Sequence, residues 1–331
     1  MFNINLAIKF GGNEIVVYRK GLGIIAKEPA YLAVVENGKS LKVKAIGRKA
    51  EKLFLSKSSQ VSVYRPIVNG EVVNEKMAVL LLGEILNNVI TDKFTLSHLY
   101  ALVAVPCALN HRQLKLIEKV LNQAGVNKVE FVQNAVCVQT NMELDSHSHI
   151  MVVDIGKNIT DISVLNSYNF SFGRVYHIGG EDMDKNISTY IADNYNLRVD
   201  LRTCENIKNE IASFYERDLN KIEYIGLDEN NKYVQQEIVA NEVRIAIHNV
   251  YDAIFKFIGE VMNKLPQDVS KDVFNVGVVF VGGASEIPGL YEYAKKHLDL
   301  PIIVPECPAD AVIIGAGKLL SKNKEFLKIK I

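Results

Sequence analysis

Residues 151–165 read "MVVDIGKNITDISVL": an apolar run ending in Asp154, a turn at Gly156-Lys157-Asn158, and a second apolar run. A short β-branched run that stops at a glycine and resumes describes two buried strands joined as a hairpin. Glycine at the turn bares backbone N–H groups, and a cluster of such donors holds phosphate oxygens. Asp154, at the strand end, could hold a hydrated Mg²⁺ on those phosphates. Taken alone, Asp-x-Gly after a strand is more often an ordinary β-turn.

The same device stands near the N-terminus. "NLAIKFGGNEIVVY", Asn5 to Tyr18, is a strand, a glycine turn at Gly11-Gly12-Asn13, and a returning strand, with Lys9 inside the first one. Between and after the hairpins, strand-like runs such as "YALVAVP" and "VGVVFVGG" alternate with helical patterns near 76–90, 111–124, 182–195, 203–216, 240–264 and 286–298. That alternation predicts an α/β protein, and two hairpins of matching design predict two similar halves with a cleft between them. Asn110 with Gln113 predicts a capping box for one helix, and Thr203 a cap for another.

A third glycine cluster follows a strand and opens a helix in "VVFVGGASEIPGLYEYAKKHL". Gly282, Gly283 and Ala284, with Ser285 as the expected N-cap, suit close approach of a flat ligand or a phosphate; tight strand–helix packing is the plainer account. Glu205 and Lys208 stand three apart and share a helix face. They read as a surface ion pair or, if that face borders the cleft, as partners for a ribose hydroxyl and a purine edge.

The composition excludes several classes. In a chain of 331 residues, 38 basic residues balance 38 acidic ones, so no whole-molecule field draws nucleic acid. Cys107, Cys137, Cys204 and Cys307 form no metal-ligand spacing and read as reduced thiols of a cytoplasmic protein. His147 and His149 read as a solvated loop. The first strand begins too early for a signal peptide, and no apolar run is long enough to span a bilayer.

The residues resemble the actin superfamily and, within it, the bacterial actin family MreB, nearly end to end. "GGNEIVVYRKGLGIIAKEPA" and "MVVDIG" resemble the two phosphate hairpins, and "YRPIVNGEVVN" the entry to a small subdomain. "LVAVPCALNHRQLKLIEKVLNQAGVNKVEFV" is similar to the family's next strand–helix–strand unit, and "IGGEDMDKNISTYIADNYNLRVDLRTCENIKNEI" to its helix of ribose and adenine contacts. "VFVGGASEIPGL" and "PADAVIIGAGKLL" resemble the adenosine loop and the closing helix. The resemblance implies an actin-like α/β fold with two RNase H-like domains, four subdomains and a central nucleotide cleft. Its boundaries are 1–30, 75–148 and 311–331 for subdomain IA, 31–74 for IB, 149–181 and 240–310 for IIA, and 182–239 for IIB. It further implies ATP or ADP with Mg²⁺, held by Gly11, Gly12 and Asn13, by Asp154, Gly156, Lys157 and Asn158, by Glu205 and Lys208, and by Gly282 to Ser285.

The chain departs from that pattern at three places. The family's acid at the end of the first strand is Lys9, which cannot hold Mg²⁺ but can neutralise phosphate, so altered metal coordination is expected. A surface lysine on an edge strand is the plainer account of Lys9. Two family glycines after Gly156 are Lys157 and Asn158. The family's water-positioning glutamate is Asn134, an amide that can hold a water but cannot take its proton. Together these imply nucleotide binding with impaired hydrolysis, as in the divergent MreB paralogues of helical wall-less bacteria.

Expected partners are copies of the chain in filaments, with paired protofilaments and other MreB paralogues as further partners, and no nucleic acid. A peripheral membrane contact would use Phe94 and Leu96 or the lysine-rich tail. A non-hydrolysing scaffold and a small-molecule kinase of the same superfamily are the alternatives, and a chaperone would require a further C-terminal domain.

Overall fold

A computed structural model describes residues 3–11, 14–37, 40–55, 61–90, 98–143, 148–166 and 169–321. Gly12, Asn13, Phe94, Leu96, His147 and the tail from residue 322 lie outside them. The chain forms two units, residues 1–145 with 310–331 and residues 146–309.

The first unit begins with β1 (Asn3–Phe10), β2 (Glu14–Arg19) and β3 (Gly23–Pro29). Next come β4 (Leu32–Asn37), β5 (Ser40–Ile46), α1 (Gly47–Leu55), β6 (Ser62–Tyr64), β7 (Ile67–Val68) and β8 (Glu71–Val72). It continues with α2 (Glu75–Val89), β9 (His98–Val105), α3 (His111–Gln123), β10 (Lys128–Gln133) and α4 (Asn134–Met142). The main sheet has the order β10-β9-β1-β2-β3, with β1 parallel to β9 and antiparallel to β2. Alternation puts Ile4, Leu6, Ile8 and Phe10 on one face, packed with Leu81 and Ile85 of α2 and Ile117 and Leu121 of α3. Lys9 has the opposite parity.

The second unit repeats this plan with β11 (Ile150–Ile155), β12 (Thr160–Asn166), β13 (Asn169–Tyr176), α5 (Gly180–Tyr195) and α6 (Leu201–Ile211). The hairpin β14 (Lys221–Leu227) and β15 (Tyr233–Val239) leads into α7 (Ala240–Met262) and α8 (Gln267–Val276). Then come β16 (Val278–Val281), α9 (Leu290–His297) and β17 (Ile302–Ile303). The sheet order is β13-β12-β11-β16-β17, the first unit's order with β11 in the place of β1. Met151, Val153 and Ile155 face Met183 and Ile187 of α5 and Ile247 and Ile254 of α7, leaving Asp154 on the other face. The chain then returns to the first unit as α10 (Ala311–Leu319), packed on α4 and β1.

Two helix starts differ from the sequence expectation, and one agrees with it. The capping box of Asn110 and Gln113 is present. Helix α6 begins at Leu201, two residues before Thr203, because Asp200 accepts from the N–H groups of Arg202 and Thr203 at 3.0 Å each. Thr203 therefore lies in the first turn, donating its hydroxyl to Asp200. Asp200→Ala should cost about 1 kcal/mol in urea unfolding, and Thr203→Ala clearly less; an equal or larger loss at Thr203 would reverse the assignment. Ser285 lies inside a 3-10 turn, Gly283–Glu286, and α9 starts only at Leu290, after Gly289. His149 is no solvated loop residue: its Nδ1 stands 2.8 Å from Asp272 Oδ2.

Candidate functional site

In the second unit the β11–β12 turn closes through the Gly156 N–H, which donates to the Ile159 carbonyl at 2.9 Å. The turn is then gripped by the start of α5. The Gly180 N–H donates to Gly156 O at 3.0 Å and the Glu181 N–H to Lys157 O at 2.7 Å. So close an approach needs glycine: a Cβ on Gly179 would stand 2.5 Å from the Gly156 oxygen. Nothing in the sequence alone marks Gly179, which lies in the run "IGGEDMD".

Asp154 is 7% exposed and stands in register across from Asp161, which is 4% exposed and accepts from Ser163 Oγ at 2.8 Å. Asp161 is a second acid that the sequence reading missed; its signal was position, seven residues beyond Asp154 at the matching place on the returning strand. On the other side Asp154 pairs with Val281, and Gly282 follows at once with φ 88°. A Cβ on Gly282 would stand 2.6 Å from Asp154 Oδ1, so this position too requires glycine. The loop is pinned by Ser285 Oγ, which donates to Val281 O at 2.7 Å, and by Tyr251 OH, which donates to Ala284 O at 2.5 Å.

Glu205 and Lys208 do not pair with each other. Lys208 Nζ donates to Asp184 Oδ1 at 2.6 Å and to Gly180 O at 2.9 Å. Asp184 is 1% exposed; burial pushes its carboxyl above the usual range, with Lys208 opposing the shift. Glu205 Oε1 accepts from Lys157 Nζ at 2.7 Å. Asn158 Nδ2 donates to Glu181 Oε2 at 2.5 Å. Although burial would raise the Glu181 carboxyl, this bond and Lys185 hold it low. Both residues that replace turn glycines are thus tied to acids of neighbouring helices.

The first unit carries the matching hairpin. The Gly11 N–H donates to Glu14 O at 2.8 Å, the counterpart of the Gly156 bond. Lys9-Phe10-Gly11 therefore corresponds to Asp154-Ile155-Gly156. Lys9 pairs with Val16 on one side and Ala104 on the other, so it lies on the central strand of its sheet, not on an edge. Its charge acts on Cys137 of α4, whose thiol is pushed far up by burial and only partly lowered by Lys9. Asn134, 7% exposed, opens α4 directly after β10. Ala104 and Val132 pair in the ladder row of Lys9, so Asn134 lies at the same end of this sheet. Among the described residues no cluster of three or more histidine, cysteine or acidic side chains could hold a metal ion. No described helix is long and apolar enough to cross a membrane.

Two glycine hairpins of one design, each on a five-stranded sheet of one strand order, define an actin-like α/β protein. The chain belongs to the MreB/Mbl protein family, which matches residues 3–328, and so to the bacterial actins of the cytoskeleton. It is similar to the cell shape-determining protein Mbl of Bacillus subtilis (strain 168), 27% identical over 335 residues and 100% of each chain. It is similar in fold to MreB5 of Spiroplasma citri, solved bound to ADP (TM-score 0.88, 20% identity, 98% of each chain). The same MreB5 bound to AMPPNP gives TM-score 0.89 and 21% identity over 98% of this chain and 99% of that one. The MamK double helical filament gives TM-score 0.80 and 17% identity over 97% and 99%.

Proposed function

We propose that the chain binds ATP and ADP, polymerises with its own copies into cytoplasmic filaments that act in cell shape, and hydrolyses ATP slowly. The observation that carries this is the paired hairpin, Lys9-Phe10-Gly11 against Asp154-Ile155-Gly156, with one closing hydrogen bond repeated in both units. The residues fit a nucleotide. Gly283 has open space where a Cβ would stand, which leaves its backbone accessible to a ligand, and hydrogen bonds from Tyr251 and Ser285 hold the Gly282 to Ser285 loop that we assign to the adenosine. Gly11 with Gly12 and Asn13, and Gly156 with Lys157 and Asn158, are the phosphate turns, and Glu205 and Lys208 the ribose and adenine contacts.

Mg²⁺ fits through water on Asp154, a carboxylate beside the Gly156 turn with Asp161 across from it, since carboxylates suit this hard cation. When bound it would neutralise phosphate charge. At the corresponding place in the first unit Lys9 offers an ammonium instead, which is the basis for altered coordination. Asn134 can orient a water by hydrogen bonding but cannot accept its proton, which is the basis for slow hydrolysis. The subdomain boundaries expected from the family, paired protofilaments, paralogue partners and a peripheral membrane contact belong to the same reading.

Sedimentation and electron microscopy with Mg-ATP, alongside phosphate release, test it. Filaments are expected, with phosphate appearing much more slowly than from an MreB that has the glutamate. The absence of filaments in every nucleotide state would overturn the polymer. Turnover equal to such an MreB would overturn the impaired catalysis.

One observation favours a second reading, a nucleotide-free scaffold that copolymerises with an active paralogue. Two lysines, Lys9 and Lys157, converging on an empty phosphate site would repel each other, but Glu205 already neutralises Lys157. Calorimetric titration with a non-hydrolysable ATP analogue, with and without Mg²⁺, separates the two: heat of binding sustains the first and its absence the second.

A further inference from the structure

The structure assigns the Lys157–Glu205 pair a role as an exchangeable latch that makes the site take a nucleoside polyphosphate as one unit. The inference rests on the nucleotide reading and concerns how the same site selects its ligand. Lys157 cannot drift: its carbonyl accepts from the Glu181 N–H at 2.7 Å, and the preceding Gly156 carbonyl from the Gly180 N–H at 3.0 Å. From that anchored backbone its ammonium reaches Glu205 Oε1 at 2.7 Å, with the two side chains 27% and 32% exposed. The carboxylate occupies the place on Lys157 that a phosphate oxygen would take.

The neighbouring pair behaves differently. Lys208 and Asp184 are 10% and 2% exposed in their side chains, and Lys208 also holds the Gly180 carbonyl, so this pair is the more firmly held of the two. With Lys157 on Glu205, each of the two carboxylates has its own ammonium. A free polyphosphate that draws Lys157 away leaves Glu205 facing Asp184, whose carboxyl already feels the Glu205 charge. Like charges so placed oppose the exchange. A nucleotide reduces that cost, because its ribose hydroxyls can donate to the released Glu205 while its phosphates take Lys157. A nucleoside alone must compete with Lys157 for Glu205, and a polyphosphate alone must strand it. Each half of the ligand eases the entry of the other, which is a coupling free energy between two subsites.

Calorimetric titration of the full-length chain with sodium tripolyphosphate, adenosine and a non-hydrolysable ATP analogue tests this. Glu205→Gln removes the internal competitor and should tighten tripolyphosphate by up to about fivefold, the upper end of the range for a partly exposed ion pair. The same variant should weaken the ATP analogue, whose ribose loses a charged acceptor. Lys157→Ala should move the other way, weakening tripolyphosphate while tightening adenosine. Far-UV circular dichroism of each variant confirms that the opposite signs do not come from unfolding. If wild type binds the analogue and Glu205→Gln leaves tripolyphosphate unchanged or weaker, the latch is overturned and nucleotide binding stands. If wild type binds no analogue at all, the nucleotide reading falls and the latch with it.

Discussion

Asn134→Glu is expected to raise phosphate release from Mg-ATP filaments by about a hundredfold, the scale on which a correctly placed base or water matters. Asn134 opens α4 immediately after β10, at the sheet end that also carries Lys9. Phosphoryl transfer depends mainly on positioning and charge, and the water must lose a proton as it attacks. The asparagine amide can hold that water but is no base; a carboxylate is both longer and basic. The first turn of a helix is also a favourable place for a negative charge. Burial opposes the change, because position 134 is only 7% exposed. A stability loss of about 1–3 kcal/mol is therefore expected beside the gain in rate. Asn134→Gln separates reach from basicity, since it adds the methylene and no base. Rates that rise as much with glutamine as with glutamate would show that length alone limits the wild type. No rise with either variant, in filaments that form normally, would place the water elsewhere.

Gly315→Ala should unfold the first unit at a temperature lower by about 6–12 °C, from about 3 kcal/mol of overpacking at about 2–4 °C per kcal/mol. Gly315 is inside α10, where alanine would ordinarily be the better residue by about 1 kcal/mol. Here a Cβ would overlap the carbonyl oxygen of Cys137 and stand 2.5 Å from its carbonyl carbon. Both are backbone atoms, so no rotamer relieves the clash and α4 and α10 must move apart. Cys137 is wholly buried, which leaves no slack on that side. The sign of the result is therefore diagnostic: helix propensity alone predicts stabilisation, and the packing predicts a large loss. Differential scanning calorimetry can read it, and a melting temperature that stays level or rises would show that the helices are not in tight contact. Any separate transition of the second unit should stay in place.

The sequence shows the strands, the glycine turns and the Asn110–Gln113 capping box because each depends on near neighbours. It misplaces the start of α6, because Asp200 and Thr203 are both good caps and only the geometry shows that Asp200 holds the two N–H groups. It misplaces Ser285 because the preceding Gly282 turns at φ 88° and sends the chain into a 3-10 turn before the helix. It is silent on why "VIIGAGKL" needs its glycines, since the atoms that exclude a side chain belong to Cys137 and Tyr18, far along the chain.

For the site the division is sharper. The sequence by itself determined that two hairpins of one design exist, and that Lys9, Lys157 and Asn134 break the family pattern. It left open where the altered side chains go. Only the tertiary structure decided that Lys9 is on a central strand, because that depends on pairing with Ala104, 95 residues away. Only the tertiary structure gave Lys157 to Glu205, 48 residues on, and Lys208 to Asp184. The physical reason is range. Strand, turn and cap chemistry acts over a few residues, whereas an ion pair is chosen by whichever charges the packed helices bring within reach.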